Sequence, residues 1–140
     1  MKLPGQTILT IAGISGAAAV GCGAFGAHGL AGRVSATDMG IWTTAAQYHL
    51  AHSIVLSTIG LFLQAVKQKP KAKRFPGAAN RLSWAAMLFV FGILIFSGSL
   101  YALVLTNIRW LGAITPIGGV LLIAAWLGLA LAGLTRSPAK

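Results

Sequence analysis

Apolar residues in this chain come in long unbroken runs, not in strict alternation. Four runs carry no charge, covering about residues 6–28, 41–66, 82–108 and 110–135. Each exceeds the roughly 20 residues that a helix needs to cross about 30 Å of hydrocarbon. Lipid offers no partner to backbone N–H and C=O groups, so each run is predicted to be helical. Strands of a membrane barrel would be about 10 residues long with alternating polarity, and that pattern is absent. The expected fold is all-α: an integral membrane bundle of four transmembrane helices in a single domain spanning 1–140.

The faces of the runs differ. In the first, Ala12, Gly16, Ala19, Gly23 and Gly26 recur at steps of four, three, four and three, and so share one side of a helix. Small residues let backbones approach closely in lipid. This stripe serves either a helix of the same chain or a homo-oligomer seam, and the intrachain contact is the favoured reading. Ala124, Gly128 and Ala132 form a shorter version in the fourth run. In the second run, His49, His52, Ser53, Ser57, Gly60 and Gln64 fall on one side, which should face the bundle interior. Leu50, Ile54, Thr58, Leu61 and Leu63 lie mostly on the other side, and Trp42 stands where an interfacial anchor is expected.

The connections carry the charge. The first, 29–40, holds Arg33 and Asp38; the second, 67–81, holds six basic residues with Pro70 and Pro76 as breakers; the third centres on Asn107 and Arg109. Four spans put the N-terminus, the second connection and the C-terminus on one side. That side carries nine Lys and Arg residues against two, Arg33 and Arg109, on the other. Both termini and the basic 67–81 connection are therefore expected to be cytoplasmic. The first run is expected to be retained as a span. Ala19-Val20-Gly21-Cys22 is a poor lipoprotein cleavage site, and the run is long for a signal core.

Composition agrees with this reading. Apolar residues make up 56% of the chain and charged residues only 9%, too few for a soluble surface. The net charge of +10 arises from one acid, Asp38, against eleven Lys and Arg. These basic residues flank apolar runs instead of lining a helix face, so nucleic acid is not an expected partner. Lys67, Lys69, Lys71, Lys73 and Arg74 are candidates for contact with anionic lipid headgroups, with plain topology control as the simpler reading. The lone Cys22 forms no internal disulfide.

Polar side chains gather by depth. His28, Tyr48, His49, His52, Ser97, Ser99, Tyr101 and Thr115 all fall in the half of their runs away from the basic connection. This candidate polar cluster is the chain's most specific feature. The segments that carry it also resemble a family. Gly23-Ala24-Phe25-Gly26-Ala27-His28-Gly29-Leu30 is similar to a signature of the YgdD-like family of small inner-membrane proteins of unknown function, which has a small mitochondrial transmembrane relative. The similarity continues through Tyr48-His49-Leu50-Ala51-His52-Ser53, Phe96-Ser97-Gly98-Ser99-Leu100-Tyr101 and Thr115-Pro116-Ile117-Gly118-Gly119, to Trp126. Members often have Gly before that Trp, where this chain has Ala125. The resemblance implies four spans and a bacterial inner (plasma) membrane; it supplies no activity and no catalytic residue.

The chemistry of the cluster leaves several readings. Three histidines suit metal or haem iron, and His49 and His52 stand close enough in sequence to share a site. Interhelical hydrogen bonding is the simpler account, and no cofactor or metal is expected. No span contains Asp or Glu, which argues against carboxylate-based proton-coupled export. Ser97 and Ser99 lack triad partners, and no GxSxG elbow exists, so no catalytic residue is assigned. Pro116 either kinks the fourth helix or sits in its first turn. The expected role is a non-enzymatic membrane component, alone or as an accessory subunit of a larger complex. A small transporter or channel working through the polar cluster is the alternative.

Overall fold

The structure, a computed structural model, describes residues 3–68 and 76–134. Four long helices account for nearly all of them: α1 (Gly5–Phe25), α2 (Ala36–Gln68), α3 (Pro76–Thr106) and α4 (Thr115–Gly133). A π-helical turn, Gly26–Leu30, extends α1, and a 3-10 turn, Arg109–Ala113, leads into α4. All four segments are long and apolar enough to cross a membrane. At 33 and 31 residues, α2 and α3 reach about 50 Å, beyond the hydrocarbon core, so their ends overhang or tilt.

Local chemistry sets the ends. Gly32 takes a left-handed conformation (φ 71°) in the first connection. Ser35 then caps α2: its Oγ accepts from the Asp38 backbone N–H (3.0 Å) and donates to Asp38 Oδ2 (2.8 Å). Asn107 closes α3 in the left-handed region (φ 57°), the non-glycine residue that tolerates it best. Pro76 is the first residue of α3, where its missing N–H costs nothing. It therefore starts a helix instead of breaking one, and Arg81 sits inside α3, not in the loop. There its guanidinium donates to the Leu131 carbonyl (2.6 Å), one of the carbonyls that the end of α4 leaves open. Pro116 likewise occupies the first turn of α4 and produces no kink.

The helices pack in chain order: α1 on α2, α2 on α3, α3 on α4. The first and last helices form no interface with each other, so α2 and α3 are the inner pair and α1 and α4 flank them. One core, with Ile8, Leu56, Phe89, Ile93, Leu122 and Ala125 among its members, runs through all four. Two close crossings hold the flanking helices. A side chain at Gly60 would strike the Leu9 backbone, and one at Gly118 would strike the Phe96 backbone. In lipid, such proximity supplies the dispersion that hydrophobic exclusion cannot.

The small-residue stripe of α1 is used within the chain. Ala12 and Ala19 are buried, Gly16 faces the Ser53 side chain, and Gly26 lies under the Trp42 ring. Gly23 alone stands open. Ala125, the position where the resembled family often has Gly, is fully buried in the core.

Candidate functional site

α2 supplies the histidines, and its neighbours decide what each one meets. A step of three residues turns a helix by about 300°, so the side chains at 49 and 52 diverge by about 60°. That divergence sends them to two sides of α3. His49 points to α1 and α3, and His52 to α3 and α4. They share no site, although their spacing alone would allow one, and each makes interhelical hydrogen bonds instead.

The His49 set can be read donor by donor. Ser53 Oγ donates to the His49 carbonyl (2.8 Å), so it must accept from Ser15 Oγ (2.6 Å). Ser15 therefore accepts from His49 Nε2–H (3.1 Å). Nδ1 of the neutral ring is then the acceptor, and the Tyr101 hydroxyl donates to it over a long 3.4 Å. The chain of hydrogen bonds begins at Tyr101 and ends on a backbone carbonyl of the same helix.

The His52 set is closed in the same way. Its Nδ1–H donates to the Tyr48 carbonyl (2.6 Å), leaving Nε2 to accept from the Trp126 indole N–H (3.4 Å). His52 is buried at 7% exposure, between the rings of Phe89 and Trp126. Tyr48 is half exposed and stacks on Phe96, with ring centroids 4.6 Å apart.

The other predicted members divide as well. Ser97, fully buried, donates to the Ala45 carbonyl (2.9 Å) and ties α3 to α2. Ser99 donates to the Phe96 carbonyl (3.0 Å) and so accepts from Thr115 (2.8 Å), tying α3 to α4. His28 is exposed on the π-helical turn and joins none of these hydrogen bonds. The eight residues therefore form two histidine-centred sets and two serine ties, and His28 stands apart.

Two clefts open beside these sets. One, of about 540 Å³, lies between α1 and α3 over α2. Ser15, His49, Ser97 and Tyr101 lie among otherwise apolar walls. The other, of about 560 Å³, lies between α2 and α4 over α3, with Tyr48, His52, Phe96 and Trp126 in its lining. Both volumes fall in the range of small-molecule sites.

A metal or haem iron fits neither set. Each histidine nitrogen is already engaged, so a ligand lone pair would be freed only by breaking a bond within the set. Among the described residues, no group of three His, Cys, Asp or Glu side chains converges.

Three contributors escaped the reading of the sequence. Ser15 completes the His49 set but sits between members of the small-residue stripe, which drew attention to packing. Trp42 is not an interfacial anchor: it is 3% exposed, its indole donates to the Cys22 carbonyl (2.8 Å), and its ring packs on Tyr101 and Phe25. Arg109 reaches Asp38, the chain's single acid, across 71 residues (2.6 Å). Of the candidate lipid contacts, Lys67 lies in the last turn of α2. Lys69, Lys71, Lys73 and Arg74 are outside the described residues.

Comparison with known proteins places this arrangement in a family. Residues 22–119 match the model of a protein family of unknown function, DUF423. A UPF0382 membrane protein of Staphylococcus epidermidis is 43% identical over 92% of this chain and 96% of its own length. The UPF0382 membrane protein YwdK of Bacillus subtilis is 39% identical over 91% of this chain and 95% of its own length. No solved structure matches. The matched region, 22–119, contains the π-helical turn, both histidine sets except Ser15 and Trp126, and both serine ties, and the chain belongs to the DUF423 family of membrane proteins of unknown function.

Proposed function

We propose that this protein is a non-enzymatic accessory component of a bacterial plasma membrane, with both termini cytoplasmic, that associates with other membrane subunits along its flanking helices. One observation carries the reading: α1 and α4 pack on the inner pair but not on each other. Each therefore presents an apolar outer face, with Ile14 and Val20 on α1 and Ile117, Val120 and Leu127 on α4. The small-residue stripe is occupied by α2, so association uses these outer faces instead. The nine-to-two distribution of basic residues supports the orientation, and Lys67 with the rest of the basic connection would meet the anionic leaflet. The YgdD-like resemblance supports the same reading, since those motifs fall within or beside the matched region.

The alternative, a small transporter or channel, meets a specific obstacle. The polar chain from Tyr101 stops at the His49 carbonyl, and the His52 set stops at the Tyr48 carbonyl. Neither continues toward the Gly5 end of the bundle.

Purification from native membranes in mild detergent tests the proposal. Stoichiometric co-purifying membrane subunits are the expected result. A protein that isolates alone and drives pH-dependent flux in liposomes, lost in His49→Ala, would replace it with the transport reading.

A further inference from the structure

We propose that the cleft between α1 and α3 binds a neutral amphiphile whose head donates a hydrogen bond, a long-chain alcohol being the simplest member of the class. The inference does not depend on the accessory reading, because it concerns the hydrogen-bonding capacity of one cleft.

The His49 set has already spent its donors. Its donors are Tyr101 O–H, His49 Nε2–H, Ser15 O–H and Ser53 O–H, and each is committed inside the set, ending on the His49 carbonyl. Ser97 O–H is committed to the Ala45 carbonyl. The Cys22 thiol also lines the cleft, but S–H is only a weak donor. What remains facing the cleft is lone pairs, on the oxygens of Tyr101 and Ser15. A hydroxyl oxygen offers two, and at most one on each is taken within the set. The cleft therefore accepts hydrogen bonds and has no strong donor left to give. A ligand head that only accepts, such as an ether or a ketone, finds no partner there stronger than the Cys22 thiol.

Depth and charge narrow the class further. Ser15 is the midpoint of α1 (Gly5–Phe25), so the polar floor lies well below the headgroups. A charged head at that depth carries a large desolvation penalty. No charged side chain lines the cleft to offset it. A carboxylate or phosphate is thereby excluded and a hydroxyl is admitted. The walls, with Ile11, Ile14, Leu56, Ile93 and Leu94 among them, suit an extended alkyl chain. Ile14 is 69% exposed and Leu94 64%, so the cleft opens sideways to lipid and a chain can enter from the bilayer.

Cys22, the only cysteine, lines this cleft and reports on its occupancy. The full chain in lipid nanodiscs is titrated with hexadecanol, its methyl ether or hexadecanoic acid, and the rate of Cys22 alkylation by a membrane-permeant maleimide is followed. Hexadecanol is expected to protect about tenfold more tightly than the ether, the equivalent of one hydrogen bond. The acid at neutral pH is expected to protect no better than the ether. In Tyr101→Phe, which keeps the ring against Trp42, the preference for alcohol over ether should shrink severalfold. In Ile14→Trp, which fills the cleft from its exposed wall, protection should vanish. Equal protection by alcohol and ether, an undiminished preference in Tyr101→Phe, or no protection by any probe would overturn the proposal. The last result would leave the cleft to a helix of a partner subunit.

Discussion

Arg109 closes on Asp38 with both arms of its guanidinium, Nη1 to Oδ1 at 2.6 Å and Nη2 to Oδ2 at 3.3 Å. Asp38 is held ready by Ser35 at the start of α2, and Arg109 opens the 3-10 turn before α4. The pair therefore joins the two connections at one end of the bundle. That end has no other direct link between α2 and the start of α4 among the described ion pairs. The chain spends its only acid there. Bidentate geometry gives the contact direction as well as attraction.

A charge swap tests this latch. Asp38→Arg and Arg109→Asp should each lower the melting temperature in detergent, because each places two like charges together. The double swap should recover most of the loss. If the double variant melts no higher than the worse single one, the pair does not hold the connections together.

The close crossings make a sharper prediction about stability. Gly118→Ala pushes a methyl into the Phe96 backbone and should cost about 1–3 kcal/mol. Gly13→Ala adds the same methyl where nothing lies within 4 Å, and should stay within about 0.5 kcal/mol of the parent. Reversible unfolding in mixed micelles measures both. Equal costs at the two sites would mean that α4 does not approach α3 as described.

The division of the histidines predicts which pairs couple. His52→Leu and Trp126→Phe should show a coupling of about 0.6 kcal/mol in a double-mutant cycle, the average for interhelical hydrogen bonds in a bilayer protein. His49→Leu and Trp126→Phe should be additive within roughly 0.5 kcal/mol, since they share no partner. Coupling in the second cycle as large as in the first would return both histidines to one site.

What could be read from the sequence follows from the range of the forces involved. The four spans were legible because a bilayer imposes length and apolarity on each run separately. The inward face of α2 was legible for the same reason: His52, Ser53 and Gly60 are buried, while Leu50, Ile54 and Leu61 face out; Leu63, read with the outward side, is instead buried in the core. Helix ends were less so. Charge-free runs mark hydrocarbon, but α2 and α3 continue past it, from Ala36 and from Pro76. The partners of the polar residues were not legible, since a helical wheel gives direction but not the neighbour. It placed His49 and His52 on one side without saying that α3 would part them. Nor could it bring Arg109 to Asp38, 71 residues away, or turn Trp42 inward over Gly26. Those contacts depend on which helices adjoin.

The most direct test of the account is where its loops lie. In a Cys22→Ser background, single cysteines replace Arg33 and Gly112 on the two connections at the Asp38 end, and Lys67 and Lys140 on the basic side. Intact cells are treated with a membrane-impermeant thiol reagent. Cysteines at 33 and 112 should label in intact cells, and those at 67 and 140 only after the membrane is opened. Labelling at 67 or 140 in intact cells, or at only one of 33 and 112, would contradict four spans with both ends in the cytoplasm.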